Sequence, residues 1–220
     1  MIDFELRPNI NIKCTEESVF GFEFFKFRSP EMAQEMDRFI EEAQGKKCFL
    51  DIGAYHGIFS LAFRALNPQS RIHAFEPVAS LRKELETNVE FKSVWVSSAA
   101  LSDVNDELDA HLEWDMAVIG PSSGQWPLSR KIRCVIGDDW VDNMECEPDF
   151  LKIDVEGHEI QVLRGLSKTI TKFKPTIFLE VHSAKIEVNA LYDLIASLGY
   201  SFERDNLLSE GDHRLILRPK

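Results

Sequence analysis

Long apolar runs are missing from these 220 residues: no stretch approaches the roughly 20 consecutive apolar residues a membrane-spanning helix needs. The opening, MIDFELRPNI, has no basic region followed by an apolar core, so it does not resemble a secretory leader. A cytoplasmic protein with no membrane contact is the expectation. Cysteine is scarce as well. Cys14, Cys48, Cys134 and Cys146 stand far apart, without the short Cys-x-x-Cys spacing that holds zinc or a redox disulfide, and read as free thiols in small apolar core positions. Positive charge is in deficit, with 25 Lys and Arg against 37 Asp and Glu and a formal net charge of −12. Such a surface repels phosphate backbones, which excludes nucleic acid as the expected partner. Internal repeats, low-complexity tracts and charged tails are also lacking.

What remains is the composition of an ordinary globular protein, 44% hydrophobic and 28% charged, with 16 Phe to build a core. The length suits one domain over residues 1–220, divided into an N-terminal appendage (1–46) and a core (47–220). In the appendage, Val19 to Phe27 alternates partway and predicts a short strand with a bulge at Phe24 and Phe25. Pro30 then opens a helix that carries Met32, Met36, Phe39, Ile40 and Ala43 on one face and stops at Gly45.

From Lys47 onward the pattern is strand, helix, strand, helix: Cys48 to Ile52, Ile58 to Leu66, Arg71 to Phe75, Leu81 to Val89. This alternation predicts an α/β fold around a parallel sheet. Apolar segments at Val94 to Val96, Phe150 to Val155 and Thr176 to Val181 read as central, buried strands. A helix from about Glu187 to Leu198 ends at Gly199, and Tyr200 to Arg204 pairs with Arg214 to Arg218 as an antiparallel hairpin at the sheet edge. Leu108 to Trp114 and Lys131 to Ile136 read as a further antiparallel pair. Between them, IGPSSGQWPLS is expected to be a surface loop whose Trp126 covers an acceptor or packs on its own loop.

The chemistry starts at FLDIGAYHG. A strand ends in Asp51 and turns through Gly53, Ala54, Tyr55, His56 and Gly57 into a helix, bringing unpaired backbone N–H groups close to a ligand. A dinucleotide fingerprint would add a third glycine, and a P-loop would follow its glycine with Lys and Ser or Thr; neither pattern is present. Glu76 stands twenty-five residues after Asp51 at the end of the next strand, in FEP, where a carboxylate accepts both hydroxyls of a ribose.

DIGAYHG, FEP, AALSD, LKIDVEGHEIQVLRG and PTIFLEVH occur in the order found in FkbM-like methyltransferases, a family the chain resembles from about Lys47 to Pro219. The resemblance implies a Rossmann-like three-layer sandwich, with a mostly parallel seven-stranded sheet whose last strand is antiparallel. It further implies S-adenosylmethionine as methyl donor and O-methylation of a small molecule, natural product or glycan. Carried over to this chain, Asp51, Gly53 and Gly57, with Ala54 and Tyr55 between them, line the methionine part. Glu76 holds the ribose beside Pro77, Ala100 and Leu101 approach the adenine, and Asp154 sits near the sulfonium. Tyr55 stands where the family commonly has Asn, so any side-chain amide contact there is lost or replaced.

A sulfonium is already an activated leaving group, so in-line placement carries most of the rate, with effective molarities of about 10⁵ to 10⁸ M; a general base adds about 10² to 10⁴. Asp154, Glu156 and His158 after LKI, and Glu180 and His182 in FLEVH, converge on one crevice. Glu180 and His182 lie two apart on a strand and share a face, and His182 is the preferred base. Alternatively Asp154, Glu180 and His182 bind a divalent metal that acidifies a hydroxyl. Two other readings stay open: a non-catalytic nucleoside- or partner-binding protein of this fold, and a nicotinamide-dependent oxidoreductase, which the missing third glycine disfavours.

Overall fold

The computed structural model describes residues 1–90, 93–113, 116–120, 129–205 and 212–220. It begins with an antiparallel hairpin of β1 (Ile2–Arg7) and β2 (Ile10–Cys14), an element that no expectation covers. Its signal is the inward alternation of Phe4, Leu6, Ile10, Ile12 and Cys14, all buried, with Asn9 at φ 69° making the tight turn. The strand expected at Val19 to Phe27 is instead helix α1 (Glu16–Glu23) and a π-helical turn (Phe24–Arg28). Thr15 decides this locally, because its side chain accepts from the Ser18 N–H while Glu16 and Glu17 face the positive end of the helix. The aromatic spacing is also helical: Phe22 packs edge-on to Phe4 at 6.3 Å and Phe25 on Phe59 at 5.3 Å.

Helix α2 (Pro30–Ala43) forms as expected, with Ser29 capping through Met32 N and Pro30 in the first turn. It is a layer of the sandwich rather than a peripheral addition. The fully buried Phe39 lies 4.8–5.8 Å from the rings of Phe49, Phe59, Phe150 and Phe178, and the buried Glu35 pairs with Arg214 at 3.0 Å.

The core runs β3 (Cys48–Ile52), α3 (Ile58–Leu66), β4 (Arg71–Phe75), α4 (Ala79–Val89) and β5 (Val94–Ser97). A small four-stranded sheet follows, containing β6 (Ala100–Ser102), β7 (Asp106–Glu113), β8 (Met116–Ile119) and β9 (Ser129–Ile136) in the order β6-β9-β7-β8. β7 and β9 are the antiparallel pair foreseen from the alternation. Pro121 to Leu128, including Trp126 of the expected covering loop, lie outside the described residues, as does Trp114. The chain continues through α5 (Gly137–Asn143), β10 (Phe150–Ile153), α6 (Glu159–Gly165), α7 (Ser167–Phe173), β11 (Thr176–Val181), α8 (Val188–Ser197), β12 (Tyr200–Asp205) and β13 (His213–Pro219).

The main sheet has seven strands in the order β12-β13-β11-β10-β3-β4-β5; the strands from β11 to β5 are mutually parallel, and β13 is antiparallel to both its neighbours. The α/β Rossmann-like architecture with an antiparallel last strand is therefore present. Within the sheet one strand departs from expectation: β5, read as central and buried, is an edge strand, and its Trp95 is 40% exposed. Alternation along the buried strands feeds two cores. Phe49 and Phe150 face α2, α3 and α4, while Leu50, Ile52, Leu151 and Ile153 face α5, α6, α7 and α8. From β3 the chain winds outward through β4 and β5, then returns through β10 to wind the other way. The crevice for a ligand thus falls outside the carboxyl ends of β3 and β10. Among the described residues no helix is long and apolar enough to cross a membrane.

Candidate functional site

At the end of β3 the backbone N–H groups of Gly53 and Ala54 both donate to Phe75 O, at 3.1 and 3.0 Å, tying the turn to β4. Gly53 has φ +81°, and a Cβ there would lie 1.8 Å from Asp154 O. Only glycine lets the β3 and β10 turns approach this closely. Gly53→Ala should therefore cost about 1–3 kcal/mol in backbone strain and push the two turns apart, read as a lower melting temperature with weaker cofactor binding. Wild-type values for both would show that the approach is not needed. Gly57, at φ +88°, starts α3; a Cβ there would meet Leu85 Cδ1 at 2.5 Å, so its role is packing against α4.

The two turns open on a cavity of about 370 Å³. It is lined by Gly53, Ala54 and Tyr55 in the first turn, by Glu76 and Pro77 after β4, by Ala100 and Leu101 of β6, and by Asp154 after β10. Asp51 and Gly57, both expected on the wall, are not on it. Asp51 is fully buried beneath the turn, where its Oδ2 accepts from Ser60 Oγ at 2.6 Å and anchors the start of α3. Burial pushes its carboxyl up, against the nearby Lys152 ammonium and the Ser60 hydrogen bond. Phe22, Phe24, Phe25 and Met32 complete the apolar side, so the N-terminal segment builds part of the cavity.

Glu76 is 5% exposed, and its two oxygens accept from Tyr55 N at 3.0 Å and Val78 N at 2.9 Å. Burial pushes its carboxyl up to about 7, opposed by those two N–H groups. Tyr55, at φ 50°, is fixed here through its backbone, and its ring stacks on His56 at 4.1 Å.

Asp154, Glu180 and His182 do come together, with one potential ligand atom from each within 4.8 Å of the others, an arrangement that can also hold a metal ion. Their protonation differs from expectation. His182 donates from Nδ1 to Glu159 Oε1 at 2.6 Å, and its Nε2 lies 3.5 Å from Glu156 and 3.8 Å from Asp154. Burial works to lower its pKa but is outweighed by Glu156, Glu159 and Asp154, which hold it up at about 11. At neutral pH it is an imidazolium and has no site for a proton, which corrects its assignment as general base. Glu180 behaves differently, because burial and the neighbouring Asp154 push its carboxyl up to about 7 despite Arg214, His182 and Lys152. Glu156 is pulled down to about 2, its own burial outweighed by His182 and Lys185. The cavity-lining His158 is depressed by burial, with Ser102 Oγ 2.9 Å from its Nε2.

Two residues at the centre are absent from the expectations. Lys152 is 2% exposed and donates to Gly53 O at 3.2 Å and Asp154 Oδ2 at 3.1 Å. Burial opposes its charge, but Asp154, Asp51 and Glu35 together raise its pKa. A lysine inside the apolar run FLKI was the available signal, since it either disrupts a central strand or meets buried carboxylates. Glu159, fully buried and orienting His182, had none beyond its place two residues after Gly157.

A family model described as the methyltransferase FkbM domain matches residues 51–202. Among curated proteins, the chain is 28% identical over 176 residues to the 2-O-methyltransferase NoeI of Sinorhizobium fredii, covering 67% of this chain and 70% of that protein. It is 29% identical over 216 residues to the AMB antimetabolite synthetase AmbE of Pseudomonas aeruginosa, covering 75% of this chain and 10% of that much longer protein. Among solved structures, the methyltransferase FkbM from Methylobacillus flagellatus superposes with a TM-score of 0.54 at 19% identity, over 89% of this chain and 52% of that one.

Proposed function

The chain belongs to the FkbM methyltransferase family, and from that premise we propose that it methylates a hydroxyl oxygen of a small molecule, natural product or glycan with S-adenosylmethionine as donor. The observation that carries the cofactor reading is Glu76: a buried carboxylate at the cavity edge, one strand over from the glycine turn, flanked by the apolar walls of Phe75, Leu81 and Leu101. Those groups fit a ribose beside an adenine, and they fit a methionine tail at Gly53 to Tyr55. When bound, the cofactor supplies a methyl group on a sulfonium. The relative named as a 2-O-methyltransferase supports oxygen as the acceptor atom. A net charge of −12 favours an acceptor without a phosphate backbone.

In this reading Asp154 faces the acceptor from the cavity wall, and Glu180, poised near neutrality, takes the hydroxyl proton. His182 stays charged, fixed by Glu159 and Glu156, and offsets the negative field of the carboxylates around it. Glu76 has to be ionised to accept two ribose hydroxyls at full strength, so cofactor affinity should rise as pH rises through about 7.

Calorimetry tests this directly. S-adenosylmethionine and S-adenosylhomocysteine should bind while NAD does not, and Glu76→Ala should weaken binding by about 1.5 to 3 kcal/mol. Glu76→Gln should flatten the pH dependence. Binding of NAD alone, or an unchanged affinity in Glu76→Ala, would overturn the assignment.

A further inference from the structure

At the opposite end of the sheet from the cavity, three segments bring Cys48, His73 and Cys146 together. All three are buried, and one potential ligand atom from each lies within 4.8 Å of the other two. We propose that these residues form a binding site for a thiophilic cation of the zinc class, held by two thiolates and one neutral imidazole.

Cys48 is the first residue of β3, and its backbone N–H is pinned by Asp149 Oδ1 at 2.9 Å. His73 sits mid-strand on β4, where the pairing of Cys48 with Arg71 and Leu50 with His73 places it on the same face as Cys48. Cys146 follows Glu145, a non-glycine residue at φ 47°, and its N–H donates to Val141 O of α5 at 3.3 Å. Residues far apart in the chain thus converge without any short Cys-x-x-Cys spacing.

His73 supplies the independent observation that points to a ligand. It is 8% exposed, and among the described residues neither of its ring nitrogens has a hydrogen-bond partner. Its surroundings are the rings of Trp95 at 5.9 Å and Trp140 at 5.0 Å, which offer no acceptor. A buried imidazole with both nitrogens unpaired is costly. A cation accepting one nitrogen's lone pair relieves that nitrogen's share of the cost.

The donor set matches the chemistry. Soft thiolates with one imidazole select zinc or copper(I) over magnesium or calcium, which take oxygen. Zinc–sulfur and zinc–nitrogen bonds of about 2.3 and 2.0 Å place ligand atoms about 3.5 to 4 Å apart, so the three groups need only a small contraction. A groove lined by Lys47, Cys48, Arg71, Glu145 and Glu147 gives solvent a route to Cys48 and leaves room for water as a fourth ligand. The cation would strap β3, β4 and the segment before β10 together, and the two thiol protons would leave to solvent on binding.

The test is titration of the reduced, full-length protein with Zn²⁺, and with Co²⁺ as a spectroscopic probe. The expected result is one equivalent bound with proton release, thiolate-to-cobalt charge-transfer absorption, and a raised melting temperature. Cys146→Ser and His73→Phe should each lose the cobalt absorption, whereas Asp154→Asn and Glu180→Gln, in the other cluster able to hold a metal, should keep it. Reduced wild-type protein that takes up neither cation overturns the proposal whatever the variants do. So does uptake that survives Cys146→Ser and disappears in Asp154→Asn.

Discussion

Glu180→Gln should lower turnover by about 10² to 10⁴ while leaving S-adenosylmethionine affinity within about twofold. Glu180 lies in β11 outside the cavity lining, with its side chain 22% exposed and a carboxylate oxygen within 4.8 Å of a ligand atom of the cavity-lining Asp154. Its carboxyl is pushed up to about 7, where the ionised form is present near neutral pH and still basic enough to take a proton. Turnover in the wild type should therefore rise with pH through about 7 and then level off, and the glutamine variant should lose that rise. A chelator should not change the rate if the carboxylate acts directly; suppression by EDTA with rescue by magnesium or manganese would instead assign Asp154, Glu180 and His182 to a metal. Full activity in Glu180→Gln, with no chelator effect, would leave positioning alone to carry the reaction.

Lys152→Met should destabilise the protein by about 3–5 kcal/mol, the scale for removing one partner of a buried charge pair. Asp51 is fully buried and Glu35 nearly so, while Asp154, with its side chain 29% exposed, is screened by solvent and contributes less. Lys152 is the shared positive neighbour of all three. Urea denaturation should show a lower midpoint with an unchanged slope, since the surface exposed on unfolding is nearly the same. Adding Asp51→Asn to Lys152→Met should recover part of the loss, because the deepest uncompensated charge is then gone. A cost below about 1 kcal/mol for Lys152→Met would mean that the carboxylates protonate and need no counter-charge.

His182 shows how the fold changes what strand position alone suggests. Two residues after Glu180 on a strand, an imidazole reads as a group that titrates near neutrality. In the fold it meets Glu159 from α6 and Glu156 from the turn before it, and both hold its proton. The sign follows from the shift: with its pKa raised from 6.5 to about 11, its stabilising contribution is complete below about 6.5 and is lost as pH rises through about 11. In the N-terminal segment too, contacts distant in the chain outweigh the local pattern. Five phenylalanines between Phe20 and Phe27 satisfy a partial alternation, but the cap at Thr15 and the contacts of Phe22 and Phe25 favour a helix.

The strand and helix order of the core, the turn at Gly53 and the position of Glu76 were all legible in the linear chain. Each rests on a local rule: apolar residues recur with the period of their element, a positive φ calls for glycine, and an acid at a strand's carboxyl end faces the crevice. The seat of Phe39 on the sheet, the charge held on His182, the near-neutral carboxyl of Glu180, the buried partners of Lys152 and the gathering of Cys48, His73 and Cys146 were not. These depend on burial and on charges carried by segments distant in the chain, and desolvation and Coulomb interactions act through space with no signature in residue spacing.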